Sequence, residues 1–380
     1  MDKIIDIKSQ NEITNTNLYN AIQNQPEMYP IVLNNIRQNI EQAFRGGNIR
    51  NIKKIYMLGC GDSYFASVSA ELAFLKLTGI DTQAVEPLNF SRYISKYIPE
   101  NSLVIGISNS GRVSRTIESL KQVQHKALTV AVTDKPESEL AKFAHLILSP
   151  NIPKMHSGGA GTRSYLASQL CLFSLAIEIG SQNGNLSVEE RNKYLTSLDS
   201  GAKYIKETLL ICESKTNELT DRIKDNLVFF VGGGPHYGTA MFSAAKLLEA
   251  LSIDGVAVEL EEWAHLQFHT TDIGSNYILF APPGNSYDRA LEQIEGIINS
   301  GGNLTVIMDK NDKTIPTRSQ FSIPVVGFED LEIFAPLVYA IPAGLLAVEL
   351  AKKRNLSMKM RIDEHRKDVN FQQIYHSKIK

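Results

Sequence analysis

A long internal repeat restricts this chain more than any other feature. KKIYMLGCGDSYFASVSAELAFLKLTGIDTQAVEPLNF begins at Lys53, and NLVFFVGGGPHYGTAMFSAAKLLEALSIDGVAVELEEW begins at Asn226. Each gives a short apolar strand, a glycine turn, a long helix-like segment and a second strand, with Val85 in one and Val258 in the other. The next elements correspond as well: SLVIGISNSGRVSRTIESLK from Ser102 matches NYILFAPPGNSYDRALEQIE from Asn276. ALTVAVTD, ending at Asp134, then matches NLTVIMD, ending at Asp309. Strands that alternate with helices, each a nearly continuous apolar run, predict parallel sheets covered on both faces. The fold class is therefore α/β, with two similar doubly wound parallel-sheet domains in tandem.

Between the copies, SQNGNLSVEE carries a glycine-asparagine break and then Ser187-x-x-Glu190, a capping-box pattern that opens a helix. The expected organisation is a helical leader over 1–45, a first domain over 46–185, a second over 186–360 and a tail over 361–380. The leader helix spans about residues 16 to 45, with Pro26 and Pro30 limiting its regularity. Two domains suit a chain of 380 residues. A formal charge of -2 argues against a nucleic-acid partner, which calls for a clustered basic surface. No apolar run reaches the roughly 18 residues of a membrane span, and the polar N-terminus MDKIIDIKSQNEITN is unlike a signal peptide. Cys60, Cys171 and Cys212 lie far apart without metal-ligand spacing, which suits a reducing cytoplasm.

In doubly wound sheets, ligands bind beyond the carboxyl ends of the strands, where loops lead into helix N-termini. Ser108-Asn109-Ser110-Gly111 occupies that place in the first copy. Helix-opening amides and hydroxyls favour an anion, and glycine lets the backbone come close. Gly59-Cys60-Gly61-Asp62-Ser63 ends the neighbouring strand and can add the Ser63 hydroxyl. The plainer account is that serine and asparagine only cap a helix. The second copy has Pro282-Pro283-Gly284-Asn285 at the matching place, so the hydroxyls of the first are extra to what the fold needs. A third loop, HSGGAGTRSYLASQL from His156, places Thr162, Arg163 and Ser164 at a helix start; a flexible connection with a capping threonine accounts for it equally.

In YGTAMFSAAKLLEALSID, Glu249 has Phe242, Ala245, Lys246, Ser252 and Ile253 as neighbours at helical spacing. A carboxylate on that largely small and apolar face is either a general base or half of a surface pair with Lys246. Glu262, His265 and His269 fall at i, i+3 and i+7, which on a helix is one face of zinc-type ligands, though a complete site needs more. His269 is otherwise a polar wall or solvated residue. The single tryptophan, Trp263, either lines a site or fills a core.

The GCGDS turn, the SNSG loop and GAGTRSYLASQL resemble the sugar isomerase (SIS) domain. Two such domains in tandem resemble the isomerase module of glucosamine-6-phosphate synthase and its relatives without a glutaminase domain. Those relatives include amino-sugar phosphate deaminases and fructosamine-phosphate deglycases. The resemblance runs from the leader NLYNAIQNQP to about residue 350. It implies SIS, flavodoxin-like domains in which Ser63, Ser108, Asn109 and Ser110 hold a sugar phosphate. Gly61, Asp62, Gly111, Ser114, Thr162 and Arg163 complete the expected binding set. The family has threonine where this chain has Val113, with Ser114 or Arg112 as the compensating donor.

The resemblance also assigns Glu249 the base that moves a proton between C1 and C2 of the open-chain sugar. Its ring-opening histidine lies sixteen positions beyond the base, and that position is His265. Histidine titrates near neutrality and can exchange a proton with the ring oxygen. Lys246 would stabilise developing negative charge, or only pair with Glu249. The histidine reaches the site from the other subunit, which implies a homodimer. Neither cofactor nor metal is expected. This chain departs from the family at Leu266 and Gln267, where glycine and proline are usual, and at Ser157, where glutamate often stands. The family's tail lysine has no recognisable counterpart in EHRKDVNFQQIYHSKIK beyond Lys378 and His376 as stand-ins. With no glutaminase segment ahead of the repeat, glutamine is not the expected ammonia source. The resulting expectation is a cytoplasmic enzyme of sugar phosphates: a deaminase, deglycase or aldose–ketose isomerase. The alternative is a non-catalytic phosphosugar sensor, disfavoured by the retained Glu–His pair and by the lack of a helix-turn-helix segment.

Overall fold

A computed structural model of the chain describes residues 17–44, 49, 51–155, 161–251, 253–356 and 364–379. Residues 1–16 of the leader, Ser157 and Ser252 lie outside the described residues. The leader is helical from residue 17, turns at Asn24 and continues as the helix Gln25–Phe44, which runs through Pro30. Pro26 sits in the first turn of that helix, where its missing N–H leaves no bond unmade.

The chain divides into two compact units. One holds residues 27–154, 163–199 and 362–380; the other holds 1–26, 155–162 and 200–361. The first-sheet unit contains β1 (Lys54–Gly59), β2 (Asp81–Val85), β3 (Ser102–Ile107), β4 (Leu128–Val132) and β5 (Leu146–Leu148), in the order β2-β1-β3-β4-β5. The second-sheet unit contains β6 (Leu227–Gly232), β7 (Asp254–Glu259), β8 (Asn276–Ala281), β9 (Asn303–Asp309) and β10 (Phe321–Val325), in the order β10-β9-β8-β6-β7. Taken from its other edge, the second order is the first one again. Every strand pair is parallel. The sequence repeat is thus a repeat of topology, and each sheet reverses direction between its first and third strands, β1/β3 and β6/β8. A crevice opens at that switch point, beyond the strand ends.

The central strands show why the runs lack alternation: β3 and β8 are buried at all six positions. Helices cover both faces, as parallel sheets require. The turns out of β1 and β6 share one conformation, with Gly61 at φ 55° and Gly234 at φ 53°, a left-handed backbone that glycine adopts without strain. The helices Asp62–Thr78 and Pro235–Leu251 start from those turns. Leu58, Val104, Ile117 and Leu120 centre a core of the first-sheet unit. Val231, Leu279, Ile294 and Val306 centre one in the second. Trp263 belongs to that second core, edge-on to Tyr277 at 6.3 Å between ring centroids, so it is a packing residue. Among the described residues no helix is long and apolar enough to cross a membrane.

Candidate active site

β3 delivers Ser108 to the crevice of the first-sheet unit, where its N–H donates to the Val132 carbonyl at 3.0 Å. The chain then folds back tightly. The Gly111 N–H donates to the Ser108 carbonyl (2.9 Å) and hydroxyl (3.1 Å), and the Arg112 N–H donates to the Ser110 hydroxyl (3.3 Å). Gly111 has φ 63°, and a Cβ there would stand 2.0 Å from the Ser138 Oγ, so glycine is required twice over. Asn109 is exposed, and its carbonyl accepts the Asp134 N–H at 3.2 Å. The helix Ser114–Val123 begins immediately after, with Val113 as its N-cap and no side-chain capping bond among the described residues. Helix capping therefore does not account for the serines. They shape the loop, while the first-turn amides of the helix keep no side-chain acceptor, an arrangement suited to an anion. Ser114, the first helical residue, is buried. On the neighbouring turn, Asp62 opens its helix and Ser63 is half-buried.

The third loop is described from Gly161 onward. Thr162 is buried at the head of the helix Thr162–Gln182, and its hydroxyl has no hydrogen-bond partner among the described residues. The Arg163 guanidinium donates to the Pro153 carbonyl at 2.7 Å and to the Met28 sulfur at 3.3 Å. Burial lowers its pKa from the ordinary value, and Asp134 opposes that shift. Its charge is thus engaged within its own unit.

In the second-sheet unit, Lys246 and Glu249 do pair, but not on the surface. Lys246 is fully buried and donates to the Glu249 Oε2 at 2.6 Å, while the Glu249 side chain is 41% exposed. The ammonium also stands 4.8 Å over the Phe242 ring. A buried ammonium requires a charged partner, so the pair fixes the carboxylate from beneath. Among the described residues only Oε2 is engaged. His265 ends the short helix Glu262–His265 and is 66% exposed, with its Nε2 3.5 Å from the Glu261 Oε1. Arg289 holds the same carboxylate at 2.7 Å and, as the largest cause, keeps its pKa below the usual range. After Leu266 the chain runs as a 3-10 turn, Gln267–Thr270, so Glu262, His265 and His269 do not share one α-helical face. Among the described residues no three His, Cys, Asp or Glu side chains gather to hold a metal.

Two features escaped the sequence. His236, in the first turn of Pro235–Leu251, is fully buried, with its ring 4.7 Å from that of Tyr339; burial drives its pKa down to about 3. Glu332 reaches the loop after β8, where its Oε2 accepts the Asn285 N–H at 3.1 Å. A Cβ on Gly284 would stand 2.3 Å from its Cδ. Counted from the strand ends, Gly284 and Asn285 match Ser110 and Gly111. At the place where the first copy offers an anion loop, the second seats its own carboxylate. No local pattern announces either contact, because the partners are brought in from distant positions.

Residues 48–179 match the SIS domain family. The chain carries a SIS domain. Its similarity to curated proteins extends well beyond those residues. It is 26% identical over 309 residues to the isomerizing glutamine–fructose-6-phosphate aminotransferase of Methanothermobacter thermautotrophicus, covering 81% of this chain and 50% of that protein. The corresponding protein of Clostridium perfringens is 25% identical over 324 residues, again with 81% and 50% coverage. The chain spans about half the length of the curated relatives it matches. Among solved structures, the C-terminal domain of glucosamine-fructose-6-phosphate aminotransferase from Francisella tularensis superposes with a TM-score of 0.81 at 20% identity, covering 90% of this chain and 97% of that one. Glucosamine-6-phosphate deaminase from Thermotoga maritima gives 0.63 at 18% identity, covering 87% and 96%. Those structures share the fold of this chain.

Proposed function

We propose that this protein is an enzyme of hexose 6-phosphates, acting on an amino- or aminoacyl-sugar phosphate as a deaminase or deglycase, or as an aldose–ketose isomerase. The observation that carries the reading is the division between the two copies. One retains an open, hydroxyl-rich loop at an uncapped helix start, and the other closes that place with Glu332 and instead offers a carboxylate seated on a buried ammonium. Ser63, Ser108, Asn109, Ser110, Gly111 and Ser114 hold the phosphate ester, with Gly61, Asp62, Thr162 and Arg163 around the sugar. Glu249 moves a proton between C1 and C2 of the open-chain sugar: from C1 to C2 in a fructosamine phosphate, giving the aldose imine that water hydrolyses to aldose phosphate and amine, and from C2 to C1 in an aldose. With a 2-amino sugar this gives the ketose imine, which water hydrolyses to ketose phosphate and ammonia; with a 2-hydroxy sugar the same shift is isomerisation. Lys246 stabilises the negative charge that develops on the enol oxygen, and electrostatic stabilisation of that kind is often the largest catalytic contribution. His265 opens the ring.

His265 serves this role from a second copy of the chain. Around it Leu266, Phe268 and Ile273 are exposed, Ile273 to 91%, and a cluster of exposed apolar side chains is suited to burial against a protein partner. The deciding experiment is proton NMR in heavy water with fructose 6-phosphate, glucose 6-phosphate and glucosamine 6-phosphate, with wild type and Glu249→Gln. Deuterium entering C1 or C2, and absent in the variant, is the expected result; ammonia release then separates deaminase from isomerase. Phosphosugar binding without exchange on these sugars or on a panel of fructosamine phosphates would instead make the chain a sensor.

A further inference from the structure

The C-terminal segment, the helix Glu364–Tyr375 and the residues just after it, meets Arg112 in the loop after β3 and Arg115 in the first turn of the helix that follows, all within one compact unit. Phe371 and Tyr375, one helical turn apart, stand with ring centroids 4.9 Å from each other. The Arg112 guanidinium carbon lies 5.9 Å from the Phe371 ring centroid and 5.0 Å from that of Tyr375. Arg115 donates from Nη2 and Nε to the Ser377 hydroxyl, at 2.9 and 3.3 Å, and from Nη2 to the Lys378 carbonyl. On its other side Arg115 pairs with Glu118, a fully buried carboxylate that also takes Arg92 at 2.9 Å. Two guanidinium groups, those of Arg92 and Arg115, thus share one carboxylate, and among the described residues Arg112 has no carboxylate partner.

The chemistry of the tail's contacts matters here. Aromatic faces, a hydroxyl and a carbonyl orient a guanidinium without cancelling its charge. A carboxylate in the same place would have neutralised it. The contact also buries little apolar surface, since Phe371 remains 38% exposed, so packing alone is a weak reason for two rings to face an arginine. The uncompensated charge stands directly beside Gly111 and the open amides, and adds to the positive end of the helix.

We propose that Arg112 is a further phosphate-recognising residue, and that Phe371 and Tyr375 are positioning residues that hold its guanidinium extended and charged at the mouth of the loop. The ligand is a dianionic phosphate monoester, and the proposal rests on the reading that the loop takes phosphate. The missing threonine hydroxyl at Val113 is thereby replaced by a cation held from outside the loop.

The test is titration of the full chain with inorganic phosphate, followed by 31P NMR, with sugar-phosphate kinetics alongside. Phe371→Leu with Tyr375→Leu removes both rings and keeps a helix; it should weaken phosphate binding about fivefold, the equivalent of one cation–π contact. Exchanging the rings, Phe371→Tyr with Tyr375→Phe, should restore binding. Arg112→Gln should weaken it comparably, and combining it with the leucine pair should add no further loss. KM for the sugar phosphate should rise while kcat holds. Full phosphate affinity in the leucine pair, or additive losses on combination, would overturn the proposal. Ser108→Ala separates the two levels: if phosphate binding survives it unchanged, the loop reading itself fails. Binding lost in Ser108→Ala but intact in the leucine pair refutes only the tail's part.

Discussion

Replacing His236 with methionine should remove a large part of the acid sensitivity of the second-sheet unit. His236 is fully buried and neutral, with its pKa pushed from 6.5 to about 3 by burial. The unfolded chain takes up a proton at this residue below about pH 6.5, while the folded chain does not until about pH 3. Stability is therefore complete above pH 6.5 and falls as the pH drops from there toward 3. At pH 5 the unfolded side is favoured by about 1.5 pH units, or about 2 kcal/mol at 1.36 kcal/mol per unit. Methionine is close in volume and adapts to irregular gaps, so it fits beside Phe280 and Tyr339 without a titrating group. The chain's one tryptophan, Trp263, lies in a core of this same unit, so its fluorescence during urea unfolding reports this unit. Wild type should lose about 2 kcal/mol more between pH 7 and pH 5 than the variant does. The offset from lost contacts with Thr239 and Tyr339 is common to both pH values and cancels, as do carboxylates present in both proteins. An identical pH 7-to-5 loss in the two proteins would refute the assignment of His236 as a buried neutral imidazole.

Three further outcomes test the site. Glu249→Gln should lower C1/C2 proton exchange by about 100- to 10,000-fold while leaving phosphosugar affinity within a few-fold, measured by deuterium wash-in and titration. Lys246→Met removes a wholly buried ammonium but leaves Glu249 its solvent-exposed face; exchange activity should fall while the melting temperature holds or rises, because the desolvation cost of the ammonium is removed and the remaining carboxylate stays in contact with water. Gly111→Ala combines a φ of 63° with a Cβ 2.0 Å from Ser138 Oγ and 2.3 Å from its Cβ, and should abolish phosphate binding by 31P NMR. Adding Ser138→Gly, which deletes both opposing atoms, should recover part of it; no recovery would mean that the backbone conformation alone decides the loss.

The fold was legible because a parallel sheet leaves a direct mark. Strands buried on both faces read as unbroken apolar runs such as LVIGI, and the repeat locates four of the five strands of each sheet; β5 and β10 carry no matching pair in the repeat. The loops were legible as positions, since ligands in such sheets gather where β1 and β3 part. Solvent exposure was not. Lys246 and Glu249 stand three residues apart, and nothing in that spacing says that the lysine, and not the acid, is the buried member. Arg163 reads as a phosphate ligand by residue type, yet the fold brings the Pro153 carbonyl to its guanidinium. Leu266 carries no helix-breaking signal, but the α-turn ends there, which dissolves the apparent ligand face of Glu262, His265 and His269. The clasp of the tail on Arg112 joins residues remote in sequence, beyond the reach of any local pattern.

The two copies illustrate how a duplicated fold divides its work. Both keep what the backbone demands: the strand order, the left-handed glycine at 61 and 234, and a helix launched from that turn. They differ where the backbone demands nothing. After β3 the loop residues are small and hydroxylated, whereas after β8 two prolines remove two N–H donors and Glu332 takes that of Asn285. A carboxylate in that position repels a phosphate ester, so a ligand able to reach either switch point would be retained at the first. The helix after β6, which starts from a different turn, carries Lys246 and Glu249. Under the proposed function, closing the loop after β8 with Glu332 and seating Glu249 on Lys246 in the helix after β6 are complementary changes within the second copy: the carboxylate that would repel a phosphate and the carboxylate that would act as base occupy different turns of the same sheet.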